Sequence, residues 1–403
     1  MIPFSPPRVD EKTAEAVKEV LLSGWITTGP KTKQFEKELA HYCGAKRVIC
    51  LNSATAGLET MLRWYGVGPG DEVIVPAYTY AATANVVLHC GATPVMVDID
   101  ENDFTISVDA ARKAITPKTK VIMPVDIGGL PANYSALVSL VNEPDIKSQF
   151  KPSQESQQKL GRIMILTDAA HSVGARYKGK IVGSQTDVMV FSFHAVKNLT
   201  TAEGGAVALN LPAPFDNEEI YKSLCIHTLH GQTKDALSKT AGSWRYDIIE
   251  AGYKCNMTDL QAVIGLIELS RYESETLPVR KKIFQQYQEA FSKENWAHCP
   301  VYTDADRESC AHLFMLRVKK ASEQQRDKII ERIAEKGVSV NVHFLPLPML
   351  TVYKSKGYDI KHFPKTFAAY QNEISLPIYY TLTNEQVQTV IKAVKESVKE
   401  VMG

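Results

Sequence analysis

Residues 191–205 read FSFHAVKNLTTAEGG and connect the end of one apolar segment to the start of the next. Both flanking segments, Val188–Phe193 and Gly205–Ala208, are short, apolar and bounded by turn residues, which predicts two buried strands. Lys197 is therefore expected on a loop at the edge of a sheet. A loop lysine is usually solvated, but one that is partly desolvated has a lowered pKa and can attack a carbonyl group.

Five further strands are predicted earlier in the chain, and amphipathic helical stretches separate them. They are Arg47–Leu51, Glu72–Pro76, Thr93–Asp98, Thr119–Pro124 and Arg162–Asp168. This alternation predicts an α/β domain in which helices cover a parallel sheet. The segment Glu143–Leu160 interrupts the alternation because it is polar and rich in glutamine, so we expect a solvated surface loop there.

The pattern changes in the C-terminal part of the chain. Two helices are predicted first, over Leu260–Leu269 and Pro278–Asn295. Strands at Leu313–Val318 and Val338–His343 and helices at Glu323–Lys336 and Asn384–Met402 then follow. We therefore expect a large domain over residues 1–255, connecting helices over residues 256–296 and a small α+β domain over residues 297–403.

The composition excludes several classes of partner. Lysine and arginine number 46 against 45 aspartate and glutamate residues, so no bulk charge attracts nucleic acid or an anionic membrane. Neither a signal-peptide pattern nor an apolar run of about 18 residues is present, which predicts a cytoplasmic protein. The seven cysteines are scattered and form no CxxC pair, which argues against a disulfide framework or a zinc site, and we expect no metal.

Two other motifs fall at predicted strand ends, where open α/β sheets bind ligands. Asp168 ends a strand in the run ILTDAAHS, residues 165–172, and could either cap a helix or keep a heterocyclic nitrogen protonated. The run LNSATAGL, residues 51–58, could place free backbone N–H groups at a helix start and so bind phosphate. Its alternative is a helix cap by Ser53 or Thr55. It is neither a Walker loop nor a GxGxxG site.

Together with GWITTGP (residues 24–30), VPAYTYAAT (75–83) and GYKCNM (252–257), these motifs resemble those of the DegT/DnrJ/EryC1/StrS family of sugar aminotransferases. The resemblance covers almost the whole chain. It implies the fold-type I, aspartate-aminotransferase-like α/β fold, with a large, mainly parallel seven-stranded sheet domain and a small C-terminal α+β domain. It also implies that residues 1–30 lie near the active site and that pyridoxal 5'-phosphate is the cofactor.

The resemblance further implies roles for individual residues. Lys197 would hold the cofactor as a Schiff base and act as the catalytic base, and Asp168 would pair with the pyridinium nitrogen. The other implied cofactor contacts are Ala54, Thr55, Tyr80, His171, Ser192, His194 and Asn256. Because the family's equivalent of Asn256 reaches the phosphate of the neighbouring subunit's cofactor, the resemblance implies a homodimer with composite active sites.

The resemblance favours transfer of the amino group of L-glutamate, through pyridoxamine 5'-phosphate, to C4 of a UDP-linked 4-keto-6-deoxy-N-acetylhexosamine in bacterial capsular polysaccharide synthesis. The expected substrate contacts are Thr28, Gly29, Arg245, Tyr246 and His343. Amination at C3 of a dTDP-linked 3-keto sugar and a non-catalytic regulator of the same fold are the alternatives. Sugar 3-dehydration is disfavoured, because relatives with that activity carry histidine in place of Lys197.

Overall fold

The computed structural model describes residues 1–234 and 244–403. Its strands are β1 (Arg47–Leu51), β2 (Glu72–Pro76), β3 (Thr93–Val97), β4 (Thr119–Ile122), β5 (Met164–Asp168), β6 (Arg176–Tyr177), β7 (Lys180–Ile181), β8 (Val188–Ser192), β9 (Gly205–Leu209), β10 (Ala297–His298), β11 (Arg307–Glu308), β12 (Phe314–Val318) and β13 (Glu373–Leu376). Its α-helices are α1 (Glu11–Ser23), α2 (Pro30–Cys43), α3 (Ala54–Trp64), α4 (Ala81–His89), α5 (Val108–Ala114), α6 (Tyr134–Asn142), α7 (Pro144–Gln149), α8 (Glu155–Leu160), α9 (Asn217–His227), α10 (Asp259–Ser270), α11 (Leu277–Phe291), α12 (Glu323–Glu335), α13 (Thr351–Lys354), α14 (Pro364–Tyr370) and α15 (Asn384–Met402).

The large domain is built on a seven-stranded sheet of order β1-β9-β8-β5-β4-β2-β3. Within this sheet β9 runs antiparallel to both of its neighbours, and the other strands are parallel to one another. Buried apolar side chains form one cluster on each face, as expected of a sheet covered by helices on both sides. The predicted fold class is confirmed, and the seven strands lie where the sequence predicted them, with ends that differ by at most two residues.

The carboxyl ends of the parallel strands meet at one edge of the sheet. There β5 ends on Asp168, β8 ends on Ser192, and β1 leads through Ser53 into α3. The antiparallel strand β9 begins at this edge with Gly205, against the backbone of Ala54. A Cβ atom on Gly205 would lie 2.3 Å from the backbone nitrogen of Ala54, so only glycine fits this close approach.

The small domain packs α11, α12 and α15 against the sheet β10-β12-β13, and Ile2 from the N-terminus joins its apolar core. The strand predicted over Val338–His343 is wrong. Val338 forms an isolated bridge with Ile2, whereas Asn341 bridges Ser375. The backbone N–H of His343 donates to a carboxylate oxygen of Glu373. Because these hydrogen bonds go to different partners, the segment forms no continuous ladder despite its β-branched residues.

The solvated loop predicted over Glu143–Leu160 is also wrong. The segment contains the short helices α7 and α8, and the side chains of Ile146, Phe150 and Gln157 are buried. The amide of Gln157 donates to the carbonyl oxygen of Tyr65 at 3.0 Å and accepts from the backbone N–H of Ser153 at 2.9 Å. A glutamine that satisfies backbone groups in this way belongs to the folded domain, although its residue type indicated a surface position.

No helix in residues 1–234 and 244–403 is long and apolar enough to cross a membrane. In the same residues, histidine, cysteine and carboxylate side chains form no group of three or more that could hold a metal ion.

Candidate active site

A cavity of about 340 Å³ lies at the carboxyl edge of the large sheet, where the N-terminal segment and the small domain meet it. The sequence-predicted residues that line it are Ala54, Thr55, Tyr80, Asp168, His171, Ser192, His194, Lys197 and His343. Phe4 and Ser5 line it from the N-terminus, and the hydroxyl of Ser5 donates to the carbonyl oxygen of Val196 at 3.3 Å. The fold thus gathers residues that are far apart in the sequence around one cavity.

Lys197 is half-buried on the loop that follows β8. Its backbone N–H donates to the carbonyl oxygen of His194 at 2.9 Å, which closes a tight turn and fixes the start of the side chain. Burial lowers the pKa of the Lys197 amine to about 8, and the negative charge of Asp168 partly opposes this change. Near neutral pH a substantial fraction of the amine is therefore uncharged and can act as a nucleophile or a base.

Asp168 is 5% exposed at the end of β5. Its Oδ2 accepts a hydrogen bond from the hydroxyl of Thr83 at 2.8 Å, and its Oδ1 accepts from the backbone N–H of Ala170 at 3.2 Å. Burial raises the pKa of this carboxyl, whereas these two donors and the charge of Lys197 act to lower it. No helix begins in the turns that follow Asp168 in the described structure, so the helix-cap alternative fails and the carboxyl group faces the cavity.

The start of α3 forms another wall of the cavity. Ser53 caps this helix, since its hydroxyl accepts from the backbone N–H of Ala56 at 3.1 Å. Ala54 and Thr55 are the first residues of the helix, so their backbone N–H groups have no partner within it, and both residues line the cavity. The cap and a site for an anion are therefore compatible, because they use different N–H groups.

His171 lines the cavity in a defined tautomer. Its Nδ1 accepts a hydrogen bond from the backbone N–H of Gly128 at 3.2 Å. Burial, assisted by the charge of Lys197, holds the pKa of His171 well below its usual range, so the ring is neutral near pH 7. A neutral ring whose Nδ1 accepts a hydrogen bond carries its proton on Nε2, which makes His171 a hydrogen-bond donor on its other side.

Several residues of the site were missed by the sequence analysis. His312, just before β12, lines the cavity, and its ring centre lies 4.3 Å from that of His171. Its Nδ1 lies 2.8 Å from the side-chain oxygen of Asn198, the residue after Lys197. Thr83 stands within a motif that was recognised, but no pattern in the sequence indicated its hydrogen bond to Asp168. Phe344, which also lines the cavity, follows the predicted contact His343.

Some predicted residues lie outside this cavity within the single chain. Thr28 and Asn256 line a second cavity of about 580 Å³, where the amide of Asn256 donates to the hydroxyl of Thr28. Gly29 is buried, and its N–H donates to Asp259 at 2.8 Å. Arg245 and Tyr246 are exposed and do not line the cavity that contains Lys197.

Two further side chains face the cavity with their surfaces open. The ring of Tyr80 is 63% exposed and lies 5.6 Å, centre to centre, from the ring of Phe344. His194 is exposed and lies 3.6 Å from the carboxylate of Glu203. The Tyr80 ring therefore has a free face on which a flat group could stack.

Comparisons with known proteins show which family the chain belongs to. The model of the DegT/DnrJ/EryC1/StrS aminotransferase family matches residues 7–149 and 153–395. The spore coat polysaccharide biosynthesis protein SpsC of Bacillus subtilis (strain 168) is 36% identical over 403 residues, which cover 99% of this chain and 97% of SpsC. Both alignments run almost from end to end.

Solved structures give the same result. The putative sugar aminotransferase Spr1654 from Streptococcus pneumoniae, in its PMP-form, is 46% identical and superposes with a TM-score of 0.95, covering 100% of this chain and 98% of that chain. Its PLP-form superposes with the same TM-score, and these two forms agree with the predicted cofactor. Helicobacter pylori PseC, an aminotransferase involved in the biosynthesis of pseudoaminic acid, is 26% identical with a TM-score of 0.86 and 99% coverage of both chains. The family and the enzyme class predicted from the motifs are thereby confirmed, and the chain belongs to the DegT/DnrJ/EryC1/StrS aminotransferase family.

Proposed function

We propose that this protein transfers the amino group of L-glutamate to C4 of a UDP-linked 4-keto-6-deoxy-N-acetylhexosamine, with pyridoxal phosphate as its cofactor. The observation that carries the amino-transfer chemistry is the presence, in one cavity, of the buried carboxyl group of Asp168 and the Lys197 amine of lowered pKa. The product would be UDP-2-acetamido-4-amino-2,4,6-trideoxyhexose, a precursor for bacterial surface polysaccharide.

The residues of the cavity fit the polar groups of this cofactor. Asp168 is suited to a protonated ring nitrogen, and the free N–H groups of Ala54 and Thr55 are suited to a phosphate group. His171 offers an Nε2–H donor to a phenolic oxygen, and Tyr80 offers an open aromatic face. When bound, pyridoxal phosphate supplies an electron sink for the negative charge that develops at the substrate Cα.

Two residues of the chain would do most of the chemistry. The Lys197 Nζ would hold the cofactor covalently at rest and, once released, would take the proton from the Cα of the amino donor. Because its pKa is about 8, both its charged and its neutral forms are populated near neutral pH, so it can accept this proton and give it up again. Asp168 would hold the proton on the ring nitrogen by its negative charge.

The choice of C4 and of a UDP sugar rests on the resemblance. The run SFHAVKNLTTAEGG, residues 192–205, is similar to that of relatives that act at C4 of UDP-linked sugars. Two relatives support a role in surface-polysaccharide synthesis, since SpsC is a spore coat polysaccharide biosynthesis protein and PseC is involved in the biosynthesis of pseudoaminic acid. Amination at C3 of a dTDP-linked 3-keto sugar is the competing reaction.

A direct assay separates the two reactions. Purified protein is incubated with nitrogen-labelled L-glutamate and either the UDP-linked 4-keto sugar or a dTDP-linked 3-keto sugar, and the labelled product is identified by mass spectrometry and NMR. We expect label at C4 of the UDP sugar and none with Lys197→Ala. Turnover with the dTDP sugar alone would refute the proposed substrate. Absence of turnover with every keto sugar would instead favour the alternative that the protein is a non-catalytic regulator with the same fold.

The proposal includes a homodimer in which Asn256 of each chain reaches the phosphate site of the other. The position of Asn256 in a second cavity supports this, because within one chain it is separated from Lys197. Large apolar side chains in the preceding segment are also exposed, since Trp244 is 74% and Ile249 60% exposed, and a partner subunit would cover them.

Subunit mixing tests the composite site. Lys197→Ala and Asn256→Ala each remove one half of such a site, so each homodimer should be inactive. If the two chains are mixed and allowed to exchange, half of the dimers become mixed and one of their two sites is intact. We therefore expect recovery of roughly one quarter of the wild-type activity. Full activity of Asn256→Ala alone, or no recovery in exchanged mixtures, would refute the composite site.

A further inference from the structure

A short chain of hydrogen bonds connects the interior of the small domain to the active-site cavity. Ser375 Oγ lies 2.9 Å from Nδ1 of His343 and donates to Oε1 of Glu373 at 2.5 Å. The other carboxylate oxygen of Glu373, Oε2, accepts from the backbone N–H of His343 at 3.0 Å. Glu373 and Ser375 are completely buried, whereas His343 lines the cavity.

The strand β13 places these groups together. Glu373 and Ser375 are two residues apart, so their side chains lie on the same face of the strand, while Ile374 and Leu376 point into the apolar core of the small domain. The bridge between Asn341 and Ser375 holds the segment that leads to His343 alongside β13. The His343 ring is therefore attached to a rigid element at its Nδ1 side.

The hydrogen bonds that connect Glu373, Ser375 and His343 can run in either of two directions. A serine hydroxyl has one proton, so if Ser375 donates to an ionised Glu373, it must accept a hydrogen bond from Nδ1–H of His343. The neutral ring then has an unprotonated Nε2. If Glu373 is protonated on Oε1, it donates to Ser375, which in turn donates to Nδ1 of His343, and the ring proton moves to Nε2. The backbone N–H of His343 donates to Oε2 in both states.

We propose that Glu373 and Ser375 are positioning residues that select the tautomer of His343, so that its Nε2 accepts a hydrogen bond in the cavity when Glu373 is ionised and donates one when Glu373 is protonated. In the part of the chain that the structure describes, Nε2 of His343 makes no hydrogen bond of its own, which leaves it for a substrate or cofactor atom. The inference rests on the cavity and on family membership, and it is independent of which keto sugar is the acceptor.

The groups around Glu373, at the buried end of these hydrogen bonds, allow it to change its protonation state near neutral pH. Burial raises the pKa of Glu373 to about 8, against the opposing effects of Ser375, the His343 N–H, Arg326 and Arg317. Burial, together with the charge of Glu373, also holds the pKa of the Tyr78 hydroxyl well above its usual value.

At the cavity end, burial and then the charge of Lys197 lower the pKa of His343 to about 4. The rings of His171 and His312, whose pKa values are also lowered, face the same space as neutral groups. His343 thus stays neutral while Glu373 titrates, and only the position of its ring proton changes.

A change of the His343 tautomer is useful because an aminotransferase must bind two kinds of substrate with opposite hydrogen-bonding needs. An amino donor brings an ammonium group, which only donates hydrogen bonds, whereas a keto acceptor brings a carbonyl oxygen, which only accepts them. A histidine of fixed tautomer can serve one of these groups. A histidine whose ring proton can be moved through a buried serine can serve both.

The test uses the holoenzyme labelled with nitrogen-15 in its histidine rings, with the His343 signals assigned by their loss in His343→Gln. In the wild type we expect Nε2 of His343 to change from unprotonated to protonated as the pH falls through about 8. In Glu373→Gln the amide N–H donates to Ser375 at every pH, so Nε2 should stay protonated and the pH dependence should be lost. A pH-independent tautomer in the wild type, or the wild-type response in Glu373→Gln, would overturn the proposal.

A second variant protects the test against misfolding of Glu373→Gln. Ser375→Ala removes the connecting hydroxyl, so the tautomer of His343 should no longer follow the pH. Ser397→Ala is the matched control, because Ser397 is equally buried, lies on α15 and has no hydrogen-bond partner for its hydroxyl. The pH response must survive in Ser397→Ala. A response that survives in Ser375→Ala as well would refute a connection through this serine.

Activity measurements then distinguish a positioning role from a structural one. The pH profile of kcat/KM for the keto acceptor should contain one ionisation in the wild type and Ser397→Ala that is missing in Glu373→Gln and Ser375→Ala. A uniform loss of activity at all pH values, with an unchanged profile, would mean that the two residues only support the fold.

Discussion

The lowered pKa of Lys197 can be measured directly in the cofactor-free protein. Only the neutral amine reacts with an acylating reagent, so the labelling rate follows the neutral fraction. With a pKa of about 8, roughly a quarter of the Lys197 amine is neutral at about pH 7.5, against roughly one part in a thousand for a lysine of ordinary pKa near 10.4. At equal access to the reagent, Lys197 should react about 200 times faster than a solvated lysine.

Competitive labelling with a trace of acetic anhydride, followed by digestion and mass spectrometry, gives this ratio as a function of pH. Lys222 is a suitable internal reference because it is exposed, and because its hydrogen bond to Glu219 raises its pKa, the ratio to this residue should exceed about 200 at equal access. Since access to the half-buried amine also affects the absolute rate, the midpoint of the pH curve is the decisive quantity. We expect the midpoint for Lys197 near pH 8.

Asp168→Asn tests which interactions set the pKa of Lys197. The carboxylate of Asp168 raises the pKa of Lys197 against the effect of burial, so its removal should move the labelling midpoint to lower pH. A midpoint near the ordinary value in the wild type would refute desolvation as the dominant effect. A midpoint that rises in Asp168→Asn would refute the electrostatic interaction between the two groups.

Two further substitutions probe the walls of the cavity. Thr83→Val removes a hydrogen bond to ionised Asp168, an interaction that is typically worth about 1.5–3 kcal/mol, so the pKa of Asp168 should rise and the acid limb of the pH–activity profile should shift to higher pH. An unmoved acid limb would contradict this role. Gly205→Ala places a Cβ atom 2.3 Å from the backbone of Ala54 and should cost at least about 1–3 kcal/mol in urea unfolding together with weaker cofactor binding. Gly68→Ala, where the added atom meets open space, should leave both unchanged.

The sequence was sufficient to predict the large sheet and the residues at its edge. Buried parallel strands are short apolar runs bounded by turns, and this pattern located β1 and β8 without any information on packing. Once the strand ends were known, Asp168 and Lys197 had to lie at the same edge, because parallel strands end together. Local patterns therefore predicted positions that depend only on where strands end.

Positions that depend on how domains pack were not predictable in this way. His312 lines the cavity because the small domain packs against the large one. The sequence around a histidine that precedes a strand does not predict such packing. The wrong strand over Val338–His343 has a similar cause. Its residues favour a strand, but the backbone N–H of His343 donates to the side chain of Glu373. The strand propensity of a segment does not indicate that its backbone will bond to a distant side chain.

The histidines His171 and His343 face the same cavity and differ in what holds their Nδ1 atoms. The partner of His171 is the backbone N–H of Gly128, which can only donate, so the tautomer of this ring is fixed and Nε2 is always a donor. The partner of His343 is a serine hydroxyl, which can reverse its direction when a buried carboxyl group gains or loses a proton. The large domain thus supplies a constant donor beside Asp168, as a resident cofactor requires. The small domain supplies an adjustable group, as is required where two different substrates must be bound in turn.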